Sequence, residues 1–300
     1  MKKHISAMAL VLLIAASCMK TTEQPPADSA SSNPTRSAAD PISTVAAVST
    51  TVTTEAALKS AIAAAKAGDV ITVSGTIKLT ATLQLLNSGT SSSKINFTGG
   101  TLDCSGISGT NWGVKCNGSY WNITNMTIKN APDAGLVFQT GGYNYVYNVT
   151  TTGNHDTGLQ IYNSSHDNYV NACKSNENYD NAAGGENADG FACKLSGGAN
   201  NRFEGCVANH NSDDGWDLYG QPYTVTINNC TATNHGYGTD GDGNGFKLGS
   251  AGQNVAHTVT NCTANNNKAW GYDGNGNTGH ITTTGSGGSG NGSGLFTRIY

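Results

Sequence analysis

The sequence predicts an all-β protein, a right-handed parallel β-helix with a short N-terminal capping helix, and three observations carry that expectation. From Thr101 onward a phrase recurs every 22 to 24 residues where it is uninterrupted, anchored at Cys104, Met126, Val149, Cys173, Cys206, Cys230 and Cys262. Fixed offsets follow the anchors. Asn154, Asn178, Asn211 and Asn267 stand five residues on, and Gly113-Val114, Gly135-Leu136, Gly158-Leu159, Gly215-Trp216 and Gly271-Tyr272 begin nine residues on. Composition agrees: 39 Gly, six Pro and 12% charged residues suit short strands and turns, not helices. A period of this length with three strand-like runs marks a solenoid whose coils stack about 4.8 Å apart. The anchors then form one inward column, and the asparagines form a hydrogen-bonded ladder along one turn.

Before the repeat, residues 1–18 read as a bacterial lipoprotein-type export signal. Lys2-Lys3 precede an apolar run, Ile5 to Ala16, and Ala15-Ala16-Ser17-Cys18 places Cys18 as the lipidated residue. That predicts an exported protein, at the cell surface or secreted, touching membrane only through this anchor. Residues 19–52, rich in Ser, Thr, Ala and Pro, read as a flexible tether. Residues 53–300 are the expected β-helix domain, opening with a helix over 55–67. Thr54 caps it, Ala57, Leu58, Ile62 and Ala65 give it an apolar face, and Gly68-Asp69 ends it. The net charge of −4 argues against nucleic acid as a partner, and a monomer is expected.

Eight cysteines in an exported chain first suggest disulfides. Cys173, Cys206, Cys230 and Cys262, however, share the inward column, where Cys serves as a small buried apolar residue. Mostly free thiols are expected, with a Cys206–Cys230 bridge between neighbouring coils as the alternative. After Asn277 the chain becomes Gly/Ser-rich from Gly285 to Gly294, so the last coil is expected to be open there.

Two coils break the rhythm. The Gly-apolar pair arrives eight residues late after Cys173, at Gly190-Phe191, and six residues late after Cys230, at Gly245-Phe246. Both insertions fall in the same turn and flank the coil carrying Asp213-Asp214-Gly215-Trp216-Asp217. Alone, that acidic stretch could be a surface turn, because Asp favours turns. Aligned on the glycine, Asp189 and Asp214 fall one rung apart, and Asp217 and Lys247 are neighbours in a second column. Carboxylates at that density repel unless a cation intervenes, and oxygen donors suit Ca²⁺. Asp273, one rung beyond Lys247, joins Asp217 in favouring a charged ammonium there. Lys174, Lys194 and Arg202 lie on nearby coils and could bind a substrate carboxylate or be surface charges. Trp216 reads as core packing more readily than as a sugar platform.

The stretches Glu186-Asn187-Ala188-Asp189-Gly190-Phe191, Asn211 to Asp217, and Asn244-Gly245-Phe246-Lys247-Leu248-Gly249 together resemble polysaccharide lyase family 9, the parallel β-helix pectate lyases. The likeness runs from about Glu55 to Asn277. It implies that Asp189, Asp213, Asp214 and Asp217 hold a catalytic Ca²⁺ and that Lys247 is the catalytic base. It further implies cleavage of an acidic plant polysaccharide, polygalacturonate, by β-elimination. A lyase or epimerase on alginate or rhamnogalacturonan, or a non-catalytic calcium-stabilised adhesion solenoid, would use the same scaffold. The Gly/Ser-rich C-terminus departs from that family's further coils.

Overall fold

The structure is a computed structural model that describes residues 46–300, so the expected export signal, Cys18 and tether residues 19–45 lie outside the described residues. The body is a right-handed parallel β-solenoid, as the repeat predicts. Sheet A has nine strands, from Ser49–Val52 to Thr258–Thr260. Sheet B has eight, from Thr76–Lys78 to Thr263–Asn265, and sheet C has nine, from Leu83–Leu85 to Gly294–Thr297. Each coil adds one strand to each sheet, in parallel register with its neighbour: Tyr145 with Tyr169, Thr150 with Lys174, Leu159 with Phe191.

Sheet A begins earlier than the sequence suggested. Ser49–Val52, assigned to the tether, pairs with Val70–Val73 and buries Val52. Ser and Thr serve a tether and a strand alike, so composition hid the strand. The helix spans Glu55–Ala64, three residues shorter than expected, with the Thr54 side chain accepting from the Ala57 amide at 3.3 Å. Ala65 leaves helical geometry, and Nδ2 of Asn87 donates to the carbonyls of Ile62, Ala63 and Ala65. That caps the last carbonyls of the helix, of which Ile62 O also accepts from the Ala65 amide at 3.3 Å. Leu58, Ile62 and Ala65 are buried against the first strands of sheets A and C, while Ala57 is exposed.

Strand placement follows from the turns. From Met126 onward the residue before each anchor sits in the left-handed region: Asn125, Asn148, Ala172, Gly205, Asn229 and Asn261 have φ between 52° and 61°. Asn and Gly tolerate this backbone best, which explains their recurrence at the corner between sheets A and B. The anchors behind them are buried, and all seven cysteines among the described residues are free. The thiols of Cys173, Cys206, Cys230 and Cys262 donate to backbone carbonyls of their own coils.

The asparagine ladder forms as read: Nδ2 of Asn154 donates to Asn178 Oδ1 at 2.9 Å, and Nδ2 of Asn178 to Asn211 Oδ1 at 2.8 Å. Five residues past Cys230 the ladder carries His235 in place of Asn. Its Nδ1 accepts from the Asn211 amide at 3.2 Å, and burial pushes the ring down to about 3. An unfolded histidine titrates near pH 6.5. Below that pH the unfolded chain binds a proton that the folded state refuses until about pH 3, so stability falls as pH drops through this window. His235→Asn, which restores the ladder residue, is expected to spare up to about 3 kcal/mol of the loss between about pH 7 and pH 4. Urea unfolding of both proteins at the two pH values measures it; an equal loss in both contradicts the assignment.

Behind sheet C runs an aromatic stack, Phe191, Trp216, Phe246, Tyr272 and Phe296, with ring centroids 4.8 to 5.0 Å apart. Trp216 is fully buried in it, as core packing requires. Phe296 belongs to a coil the sequence reading did not foresee. Thr282 bridges Thr258, Gly287 bridges Thr263, and Gly294–Thr297 pairs with Trp270–Asp273. Ser286 takes the anchor position, its Oγ accepting from the Cys262 amide, and Asn291 extends the ladder from Asn267. The Gly/Ser-rich stretch is therefore a further coil whose small residues concealed the pattern.

Candidate functional site

The two insertions meet over the intervening coil. The Asp240 amide and Thr239 Oγ1 each donate to Gly184 O at 3.1 Å, and Ser212 Oγ donates to Gly185 O at 2.6 Å. A side chain at Gly241 would clash with the carbonyl of Ser212, so this approach needs glycine. Beneath the insertions, sheet C fixes the columns as read: Ala192 faces Asp217, Asp217 faces Lys247, and Lys247 faces Asp273. The Gly190 amide donates to Asp214 O, which stacks Asp189 and Asp214 on adjacent coils.

Asp189, Asp213 and Asp214 each bring a carboxylate oxygen within 4.8 Å of the others, and all three are buried. Their other contacts differ. Asp213 is bracketed by amides of both insertions, Asn187 N at 3.1 Å and Asp242 N at 2.6 Å. Asp214 Oδ1 accepts from the amide and Nδ2 of Asn244, at 2.6 and 3.0 Å. Asp214 Oδ2 is fully buried and accepts no hydrogen bond from any described residue. A buried carboxylate oxygen without a partner is costly. An all-oxygen cluster with one such vacant acceptor suits a hard divalent cation such as Ca²⁺.

Asp217 stands beside that cluster. Its Oδ1 accepts from the Tyr219 amide at 2.8 Å, and its Oδ2 lies 3.1 Å from Nζ of Lys194. Lys194 also donates to Asp189 Oδ2 at 2.7 Å. Of the three cations weighed from sequence, only Lys194 enters the site. Lys174 is exposed on sheet B, and Arg202 on sheet A pairs with Glu204 and lies over the Tyr169 ring. Nζ of Lys247 donates to Asp242 Oδ2 at 2.8 Å and lies 3.4 Å from Asp214 Oδ2, outside hydrogen-bond geometry. Asp242 was missed because insertions carry no repeat register. Asp273 is Lys247's neighbour by register, yet its carboxylate pairs with Arg298 of the further coil.

Lys194, Asp213, Asp217 and Lys247 line a cleft of about 390 Å³ together with Asp156 and Gln160, whereas Asp189 and Asp214 are fully buried. Burial and the neighbouring carboxylates hold Asp189 and Asp214 well above the usual carboxylate range. Burial likewise raises Asp213, against the opposing pull of Lys247. Burial draws both lysines down, but the aspartates outweigh it. Asp189, Asp217 and Asp156 hold Lys194 above the ordinary ammonium value, and Asp214 and Asp217 do so for Lys247. The site thus stores crowded negative charge around two charged amines.

Comparison with known proteins identifies the family to which this fold belongs. The family model described as "Pel9A-like, right handed beta helix region" matches residues 40–298. Pectate lyase L of Paenibacillus polymyxa (strain SC2) is 40% identical over 193 residues, covering 58% of this chain and 43% of the relative. Pectate lyase L of Dickeya chrysanthemi is 38% identical over 177 residues, covering 57% and 41%. The chain therefore spans less than half the length of either relative. The crystal structure of pectate lyase Pel9A superposes with a TM-score of 0.70 at 32% identity, covering 75% of this chain and 61% of that one. Since that family model spans nearly all of the solenoid, the chain belongs to the Pel9A-like right-handed β-helix family.

Proposed function

We propose that this protein is a calcium-dependent lyase that cleaves polygalacturonate by β-elimination. The observation that carries the reading is an amine, Lys247, lining one cleft with Asp213, whose carboxylate clusters with those of the buried Asp189 and Asp214, while Asp214 Oδ2 accepts no hydrogen bond from a described residue. The names of the relatives, pectate lyases, support the substrate class. Asp189, Asp213 and Asp214, with Asp217 beside them, are the residues that would hold Ca²⁺. The ion, when bound, supplies charge neutralisation to the substrate carboxylate, which acidifies the proton on the adjacent C5.

In this reading Lys247 is the base that takes that proton. Its Nζ accepts the C5 proton, the C5–H electrons form the C4–C5 double bond, and the C4–O4 bond breaks. The freed O4 takes a proton from water, the Lys247 ammonium returns its proton to the hydroxide left behind, and an unsaturated sugar remains on one fragment. The base must be neutral to act, whereas Asp214 and Asp217 favour the ammonium. Neutralising those carboxylates therefore prepares the base as well as the substrate.

The test is absorbance of the unsaturated product from polygalacturonate, with Ca²⁺ and with chelator. A binding readout accompanies it. Saturating Ca²⁺, at about 100 times its Kd, is expected to stabilise the fold by about 2.7 kcal/mol, a rise in Tm of roughly 5–10 °C. An unchanged melt in Ca²⁺ together with no product rejects the reading. For location, we propose export with lipidation at Cys18, which labelled fatty acid incorporation into the wild type but not Cys18→Ser tests.

A further inference from the structure

Lys194 occupies a position that the elimination chemistry does not use. It follows the sheet C strand Phe191–Cys193, and its amide donates to Ile161 O at 3.1 Å, which fixes where the side chain starts. The residue is only 7% exposed, yet it lines the same cleft as Lys247. Its Nζ rests on Asp189 and Asp217, two of the four carboxylates gathered here. Those four carboxylates and Asp242, set against the amines of Lys194 and Lys247, leave a formal excess of three negative charges, which one divalent cation reduces.

We propose that Lys194 is a substrate-binding residue, held on Asp189 and Asp217 until a divalent cation occupies them and then transferred to the carboxylate of a uronate in the cleft. The inference rests on the lyase reading and deepens it. A cation and an ammonium repel, and both depend on the same carboxylates. Of the carboxylates around Lys194, Asp156 would then remain, but it lies beyond ion-pair distance, so the buried amine needs a further anionic partner. A lysine has three donors on a flexible stem, so it can change partners without moving backbone. An acidic polysaccharide presents a carboxylate on every uronate, whereas a neutral one offers no replacement anion. Metal and uronate therefore bind with positive coupling, and Lys194 makes the enzyme selective for charged chains.

The experiment is calorimetry on Lys194→Gln in a Lys247→Ala background, so that the sugar is not consumed. Ca²⁺ alone is titrated first, then an oligogalacturonate in excess Ca²⁺ and in chelator. Removing the internal competitor is expected to tighten Ca²⁺ binding about fivefold or more. Oligogalacturonate affinity should fall about 10- to 100-fold in Ca²⁺ and stay unchanged in chelator. Lys194→Arg, which keeps the charge, should retain most of the sugar affinity in Ca²⁺, separating loss of the cation from damage to the fold. Weaker or unchanged Ca²⁺ binding in Lys194→Gln overturns the proposal. So does a loss of sugar affinity that is equal with and without Ca²⁺, which is the behaviour of a structural ion pair. Failure of the wild type to form unsaturated product would instead reject the lyase reading, and the binding titrations still judge Lys194.

Discussion

Lys247→Ala is expected to lower formation of the unsaturated product by about 10²–10⁴-fold, the usual contribution of a positioned general base. The fold should survive, because Lys247 lies at the cleft surface with its side chain 13% exposed, outside the aromatic stack. Calcium binding should survive as well, since the variant removes a positive charge from beside Asp214. Lys247→Arg sharpens the test. Arginine preserves the charge but cannot give up its proton in the working range. If Lys247 only neutralised charge, the Arg variant would remain active; as a base it must fail with the Ala variant. Near-normal turnover by Lys247→Arg therefore removes Lys247 from the proposed role.

Asp214→Asn is expected to abolish the calcium response while leaving the metal-free protein as stable as the wild type or more so. The side chain keeps its volume, and its carbonyl oxygen can still accept from Asn244, where Oδ1 does now. What disappears is a buried charge that its surroundings hold well above the usual carboxylate range, through burial first and Asp213 second. The Ca²⁺-dependent rise in Tm, about 2.7 kcal/mol of stabilisation at 100 times Kd in the wild type, should vanish with it. Melting in chelator and in Ca²⁺ measures both arms. A calcium increment retained in Asp214→Asn shows that the ion does not depend on this carboxylate.

The columns were legible because a solenoid converts sequence period into spatial register. Once Gly190, Gly215 and Gly245 were aligned, Asp189 had to neighbour Asp214, and Asp217 had to face Lys247; the sheet C pairing bears out the second directly. Burial of the cysteine column and of Trp216 follows from the same alternation. Side-chain reach was not legible. Lys194, Lys174 and Arg202 looked equivalent, and only the first turns into the cleft, because it continues a sheet C strand just past Asp189. Asp242 lies in an insertion with no repeat to align it, yet it contacts both Lys247 and, through its amide, Asp213. The first strand and the last coil were hidden by composition, as Ser, Thr and Gly obscure the apolar marks that identify the middle of the chain. Asp273 was read as a partner of Lys247 because Arg298, which claims its carboxylate, lies in that hidden coil.

The free cysteines make the solenoid a recorder of its own local opening. Cys104 and Cys116 share one coil, Cys173 and Cys193 share a later one, and Cys206, Cys230 and Cys262 mark the next three, all shielded from solvent. Burial pushes the thiols of Cys104 and Cys193 up to about 12, which leaves little thiolate to react. Each becomes available to a thiol reagent only when its own coil separates from a neighbour. In a chain whose coils touch mainly the next in line, the order in which these positions acquire label, read by peptide mass, gives the order in which the stack comes apart. The middle coils, clasped by two joined insertions, should take up label after the ends.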